Sequence, residues 1–330
     1  MLKVKHIVTA FAVLSLTQHL GAFAKDPAEA SFPAKPVKII VPYGAGGAAD
    51  ILIRVVGEKL REIWGQPVIV ENKPGGIGAI GITAAAKAAP DGYTLVSIPV
   101  SNLAVNMHLY RKLSYDISKD LAPVVQVGAV PNVLVVSSSS SIHTIKDLIA
   151  LANDKPDNIT YSSPGVGSQA HLAAEMFGRA ANVKMLHVPY NGVAQAVGDV
   201  VGGQVHIMFA QLPSVMSFIS NGRLRALGVA SSERSKLVPE IPTIYEVSGM
   251  PKQEAVSWSG LMAPANTPLA LREKIARDVT AALNSEDVIQ KLRALGTEPL
   301  GGTPQQLETA IKKDSDRYGA LIKKLNVSIE

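Results

Sequence analysis

Short runs of Val and Ile alternate with longer Ala-rich stretches along most of the chain, and the two patterns differ in period. In "VKIIVPY" (37–43) apolar residues follow one another almost without a break, as in a strand buried on both faces. In "ADILIRVVGEKLREIWG" (49–65) they recur every three or four residues, which predicts an amphipathic helix ending at Gly65. "QPVIVENKP" (66–74) reads as the next strand, and "GIGAIGITAAAKAAPDG" (76–92) as a helix closed by a Pro-Asp-Gly turn. "YTLVSIP" (93–99) is a third strand. A β-α-β-α-β order predicts a parallel sheet with helices on its faces.

A second series begins with "NVLVVSS" (132–138) and the helix "TIKDLIALAND" (144–154), for which Thr144 is the N-cap candidate. It runs on through "ITYSSPG", "QAHLAAEMFGRAA", "KMLHVPY", "AVGDVVGGQ" and "VHIMFAQ", again β/α alternation. After "RLRALGVAS" (223–231) comes a stretch punctuated by Pro239, Pro242, Pro251, Pro264 and Pro268, then helical patterns at about 268–294 and 304–324. Those last helices belong either to a third unit or back on the first sheet. Extended segments near 122–134 and 223–231 flank the middle unit, an arrangement that describes two hinged lobes.

The first residues place the work of the protein outside the cytoplasm. Lys3, Lys5 and His6 precede an uncharged, largely apolar run, Ile7 to Leu16, and then Ala22-Phe23-Ala24. That is the order of a signal peptide with an A-x-A cleavage pattern, cut after Ala24 (residues 1–24). The run is short for a bilayer span, which takes about 20 residues. Without its two lysines the formal charge falls from +5 to +3. With the remaining charge dispersed and aromatics few, a nucleic-acid partner is not expected. The chain has no cysteine, so disulfides, thiolate catalysis and thiolate metal sites are excluded. Roughly 300 residues of mature chain favour two domains, and with 47% apolar residues a large core is available.

Three strand-to-helix turns share one kind of chemistry. They are "PYGAGGAAD" (42–50), "KPGGIGAIG" (73–81) and "SSPGVGSQAH" (162–171). Each presents successive backbone N–H groups beside the positive end of a helix dipole, a cradle for an anion that needs no cation. Glycines that merely permit positive φ are the structural alternative. Asp50, in the first turn of its helix, is read foremost as a cap on backbone N–H groups. Gly76, Gly78 and Gly81 spell G-x-G-x-x-G, but the following strand ends in "SIPVSN" with no acid for a ribose, so a dinucleotide is rejected. No G-x-S-x-G, H-E-x-x-H or P-loop occurs. His171 and Glu175 stand i, i+4 on one helix, a structural pairing. Neither cofactor nor metal is expected, and nothing in the motifs points to an enzyme.

In the stretches "FPAKPVKIIVPYGAGGAAD", "GQPVIVENKPGGIGAIG", "APDGYTL", "PNVLVV", "YSSPGVGSQAHLAAEMF", "HVPYNG", "LRALGVASSERS" and "SWSGLMAPANTP" the chain resembles the substrate-binding proteins of tripartite tricarboxylate transporters, the TctC or Bug family. The resemblance implies an α/β, two-lobe periplasmic binding protein fold of type II, a flytrap hinged on two crossing segments. Lobe 1 would comprise 25–124 and 229–330, and lobe 2 would comprise 125–228. It also implies a monomer that holds a small carboxylate between its lobes and passes it to membrane subunits of such a transporter.

By the same resemblance, one ligand loop carries Tyr43, Gly44, Ala45, Gly46, Gly47, Ala48 and Asp50. Its counterpart in lobe 2 carries Ser163, Gly165, Val166, Gly167, Ser168, Gln169 and His171. Tyr190, Asn191 and Gly192 follow "HVPY", Ala210 and Gln211 open a loop over 210–214, and Ser101 and Asn102 match by position. Where many relatives carry Asp after "MF", this chain has Ala210 and Gln211. That departure favours a carboxylate without an amino group, a small aliphatic dicarboxylate or an aromatic acid. Tyr43, Tyr190, Phe209 and Trp258 are candidates for apolar walls, with packing beneath the site the alternative for Trp258. A sensory adaptor for a receptor kinase, or an exported enzyme, are the rival readings.

Overall fold

A computed structural model describes residues 32–45, 48–154, 158–190, 192–252, 254–326 and 328–329. The expected signal peptide lies outside the described residues.

The alternation of strand and helix holds through the first half of the chain. Strand β1 (Val37–Val41) leads into helix α1 (Ala48–Trp64), β2 (Val68–Asn72) into α2 (Ala79–Ala86), and β3 (Thr94–Pro99) follows. β1 pairs in parallel with both β2 and β3, as a crossover helix between strands requires. The sheet is nevertheless mixed and not wholly parallel. β10 (Ser257–Pro264) lies antiparallel between β3 and β4 (Leu121–Val130), and β11 (Glu298–Gly301) closes the edge beyond β4. All eight residues of β10 are buried, yet "SWSGLMAP" has neither alternation nor a Val/Ile run to announce a strand.

Pro131 divides the first crossing segment. β5 (Asn132–Ser137) belongs to the second sheet, ordered β7-β6-β8-β5-β9, in which β6 (Thr160–Ser163), β7 (Leu186–Pro189) and β8 (Ile207–Gln211) run parallel. β5 runs antiparallel between β8 and β9 (Leu224–Val229). Its helices are α3 (Ile145–Asp154), α4 (Gln169–Ala181), α5 (Val193–Val201) and α6 (Leu212–Ser220). Thr144 does cap α3, accepting from the Asp147 N–H at 3.1 Å.

The crossings meet side by side. Ala230 N–H donates to Asn132 O at 2.8 Å, Ala255 N–H donates to Ala230 O at 2.8 Å, and the Asn132 amide returns to Ala255 O. The tail then goes back to the first sheet: α7 (Leu269–Leu283) and α9 (Pro304–Leu325) both pack on β4, while α8 (Glu286–Ala294) packs on α1. The single helical pattern at 268–294 is therefore two helices. Asn284 and Ser285 interrupt it, and Ser285 with Glu286 and Asp287 behind it is a helix start that periodicity does not reveal. Among the described residues no helix is long and apolar enough to cross a membrane.

Candidate functional site

Every segment expected at the site follows the carboxyl end of a strand in the parallel part of its sheet, where helix N-termini and loop N–H groups collect. Gly46, Gly47 and Asn191 lie outside the described residues, as does the side chain of Ala48.

The first loop leaves β1 at Val41. Ala45 is exposed, and a Cβ placed on Gly44 would meet nothing within 4 Å, so both face open space. Asp50 is buried in the first turn of α1, and side chains bind its carboxylate. Arg54 Nε donates to both carboxylate oxygens at 3.0 Å, and Asn72 Nδ2 donates to Oδ1 at 2.9 Å. Asn72 also donates to Tyr43 O at 3.1 Å and accepts from Arg54 Nη2 at 2.8 Å. Loop, helix and neighbouring strand are thus locked by one polar triangle.

Tyr43 is tied further inward. Its hydroxyl donates to Oδ1 of Asn102, and burial, with Tyr115 nearby, pushes the phenol up to about 12, so it stays neutral. Ser101 and Asn102 open a π-helical turn (Ser101–Val105). Asn102 is fully buried; its Nδ2 donates to Ile77 O at 2.8 Å and to Tyr115 Oη at 3.0 Å. The G-x-G-x-x-G segment accordingly serves packing. Gly76 and Gly78 have φ of 55° and 88° and form a 3₁₀ turn with Ile77 before α2 begins, so the expected helix over 76–92 starts late and ends at Ala86. A Cβ on Gly81 would sit 2.8 Å from Pro42 Cα, which shows how closely α2 approaches the end of β1.

The second loop is held without a formal charge. Ser168 caps α4, accepting from the His171 N–H at 3.3 Å. Gly167 N–H donates to His171 Nδ1 at 3.0 Å, which fixes that nitrogen as a lone pair on a neutral ring. Ser163 Oγ donates to Gly165 O at 3.0 Å, and stands 2.6 Å from His187 Nε2. With the hydroxyl proton given to a main-chain carbonyl, His187 is the donor to Ser163, the reverse of an activated nucleophile. His171 and His187 stack at 4.2 Å between centroids, with Tyr161 4.8 Å from His187 and 6.2 Å from His171. Tyr161 Oη donates to Glu175 at 2.6 Å, so Glu175 is engaged there. Burial lowers both imidazoles, His187 to about 4 with help from His171 and against the pull of Glu175.

Contacts join the segments. Leu109 packs so tightly on Gly167 that an added Cβ would lie 2.2 Å from its Cδ2, linking the 101–109 stretch to the second loop. Tyr190 N–H donates to Ser163 O at 2.9 Å, while its phenol, partly desolvated and bonded to Asp199, is pushed up to about 12. Gln169 accepts from Tyr318 Oη at 3.0 Å, and its buried Nε2 has no partner among the described residues. Val166 is exposed, and around Gly192, as around Gly44, there is open space.

Other residues sit apart. Ala210 is fully buried in the core between β8 and α5, and Phe209 packs against Phe177. Gln211 is the N-cap position of α6 and donates to Ser257 Oγ at 3.0 Å, so the expected loop over 210–214 is a helix start, with Pro213 in its first turn. Trp258 is buried and bonded to Asp314 at 2.7 Å. Phe209 and Trp258 are therefore core and not apolar walls. Arg54, Asn72, Leu109, Tyr115 and His187 also build the site, and the sequence does not single them out. Asn72, a polar residue ending an apolar strand beside the loop, is the one with a readable signal.

Two mixed sheets, crossing segments bonded side by side and a glycine-rich helix start on each sheet define a two-lobed periplasmic binding protein. The family model described as tripartite tricarboxylate transporter family receptor matches residues 52–327, and the chain belongs to that family, whose members are periplasmic solute-binding receptors. It is 34% identical to protein BugT of Bordetella pertussis over 320 residues, 97% of this chain and 98% of that one. Among solved structures it is similar to R. palustris Rpa4515 with adipate, at 32% identity and a TM-score of 0.77, covering 90% of this chain and 99% of that chain. MatC (Rpa3494) from Rhodopseudomonas palustris, solved with bound malate, is 29% identical with a TM-score of 0.71, covering 88% and 100%.

Proposed function

We propose that this protein is a periplasmic receptor that captures a small dicarboxylate or aromatic acid lacking an amino group and delivers it to the membrane subunits of a tripartite tricarboxylate transporter. The observation that carries this reading is the pair of glycine-rich helix starts, of α1 and α4, whose turns hold no lysine or arginine, in a chain similar over nearly its whole length to an adipate-bound protein. Hydrogen bonds from neutral donors to an ionised group contribute about 1.5–3 kcal/mol each and leave no buried cation to desolvate.

In this reading the ligand lies between lobe 1 (25–124 and 229–330) and lobe 2 (125–228), in a mature chain cut after Ala24. The open space at Gly44 and Gly192, and Gln169 Nε2, which has no partner among the described residues, support contacts from those positions. The preference against an ammonium is supported by Asp50, whose carboxylate is taken by Arg54 and Asn72.

Calorimetric titration with adipate, malate, benzoate and glutamate tests the ligand class. Saturable binding of at least one non-amino acid, tighter than glutamate, is expected. Glutamate binding most tightly, or no acid binding at all, would overturn it. Delivery is tested by uptake of the bound acid, which should fall in cells lacking this protein and return on complementation.

A further inference from the structure

Away from the glycine-rich loops, a cavity of about 530 Å³ opens between α4, α9 and the crossing segment that follows β9. Five cations line it: Arg179 from α4, Lys252 from the crossing segment, and Lys313, Arg317 and Lys324 from one face of α9. A single carboxylate, Glu254, shares the lining. Solvated lysines on an open helix face would need no explanation. Here three elements bring their charges together over an apolar floor that includes Met176 and Leu321, which like-charge repulsion disfavours unless something negative occupies the centre.

Two of the five are held in place and three are left open. Lys313 bonds Glu254 at 3.0 Å; Arg317 bonds Asp314 at 2.8 Å, also donates to Glu254 O, and lies 4.6 Å over the Tyr318 ring. Arg317 Nε is buried with no partner among the described residues. Arg179, Lys252 and Lys324 are exposed and make no ion pair among the described residues. Glu254 itself is held below its ordinary value, first by a hydrogen bond from Ser232 and then by Lys313 and Arg317, as a strongly positive setting requires. The acid inside the cavity is therefore already neutralised by its own partners.

We propose that this cavity is a second anion site, which takes a small phosphate compound with at least two negative charges and lies apart from the carboxylate loops. A tetrahedral phosphate accepts donors from several directions at once, which suits cations arriving from three separate elements better than the planar fork of one carboxylate. Because the walls come from α4 of one lobe, α9 packed on the other sheet and the segment crossing between them, an occupant would bridge parts that the hinge joins.

The test is calorimetric titration of the intact protein with inorganic pyrophosphate, at low and at physiological salt. One saturable site is expected, weakening as salt rises. In the triple variant Arg179→Ala, Lys252→Ala, Lys324→Ala, affinity should drop about tenfold or more, while the thermal midpoint and the titration with adipate stay unchanged. Should the triple variant unfold, Lys252→Ala and Lys324→Ala separately serve the same comparison. No saturable binding at low salt, or equal binding by the variants, would overturn the proposal. Failure of adipate to bind bears on the carboxylate site alone.

Discussion

Tyr43 and the start of α1 are anchored through Asp50, a buried carboxylate that takes Arg54 and Asn72, whereas residues 163–168 are anchored through a serine cap, two neutral imidazoles and a leucine in van der Waals contact. As strings the two turns are alike: glycine-rich, free of lysine and arginine, each opening a helix. The difference lies in what stands behind them. A charged brace is strong and directional, but it must be complete, because a buried carboxylate without its partners is costly. A neutral brace made of many weaker contacts tolerates losses and responds to protons. One turn is built to stay fixed, and the other to be adjustable.

The sharpest way to break that contrast is to remove the charge. Asp50→Ala strips the triangle of its centre, leaving Asn72 Nδ2 short of one acceptor and Arg54 without its carboxylate. A loss of about 2–3 kcal/mol of unfolding free energy is expected, toward the low end because the Arg54 side chain is 48% exposed and turns to water. Asp50→Asn keeps an acceptor for Arg54 and should lose about 1 kcal/mol. Denaturant unfolding of both variants checks this. An Asp50→Asn variant as stable as the parent would show that charge contributes nothing to the first turn.

A smaller effect is expected from the second turn. Gly167 has φ of 77°, and Leu109 Cδ2 would lie 2.2 Å from an added Cβ. Gly167→Ala should therefore cost about 1–2 kcal/mol, from the left-handed backbone and from pushing aside the end of a leucine that has other rotamers to take. Combining it with Leu109→Ala separates the two: the double variant should lose less than the sum of the singles if the contact matters. Strict additivity in a thermal or denaturant series would reduce Gly167 to a backbone requirement. Neither change should disturb Asp50, since the braces share no residue.

How far these braces can be read from the sequence differs residue by residue. The strands β1, β2, β3, β5 and β8 and the helices α1 and α3 are legible within a residue or two, because apolar runs and 3.6-residue periodicity report local burial directly. β10 and β11 are not: "SWSGLMAP" and "EPLG" become strands only through partners far along the chain, β4 above all. The turns themselves are visible from their glycines. Their supports are not, since Asn72 and Leu109 meet positions 50 and 167 only after the fold has closed, and His187 sits in a strand whose register with Tyr161 no pattern announces. Phe209 and Ala210 mislead for the same reason: adjacent residues in a strand face opposite sides, and both sides of β8 are buried.

The effect most specific to the second turn concerns protons. His187 titrates near 6.5 when unconstrained, and the fold lowers it to about 4; His171 moves the same way. A lowered imidazole means the unfolded chain binds its proton first as pH falls. Stability is thus fully present above about pH 6.5, declines as pH falls, and stops declining from this source once the folded imidazole also protonates near 4. A proton on His171 Nδ1 would displace the Gly167 N–H, so the loop should loosen over that same window. His187→Gln, which keeps an amide N–H for Ser163, should flatten the fall of the thermal midpoint between pH 6.5 and 4 while leaving the midpoint at pH 8 nearly unchanged. Amide exchange at Gly167 in the parent protein should quicken, relative to neighbouring amides, as the pH drops through the same range. If His187→Gln reproduces the parent's slope, the adjustable character of the second turn lies in its glycines and not in its histidines.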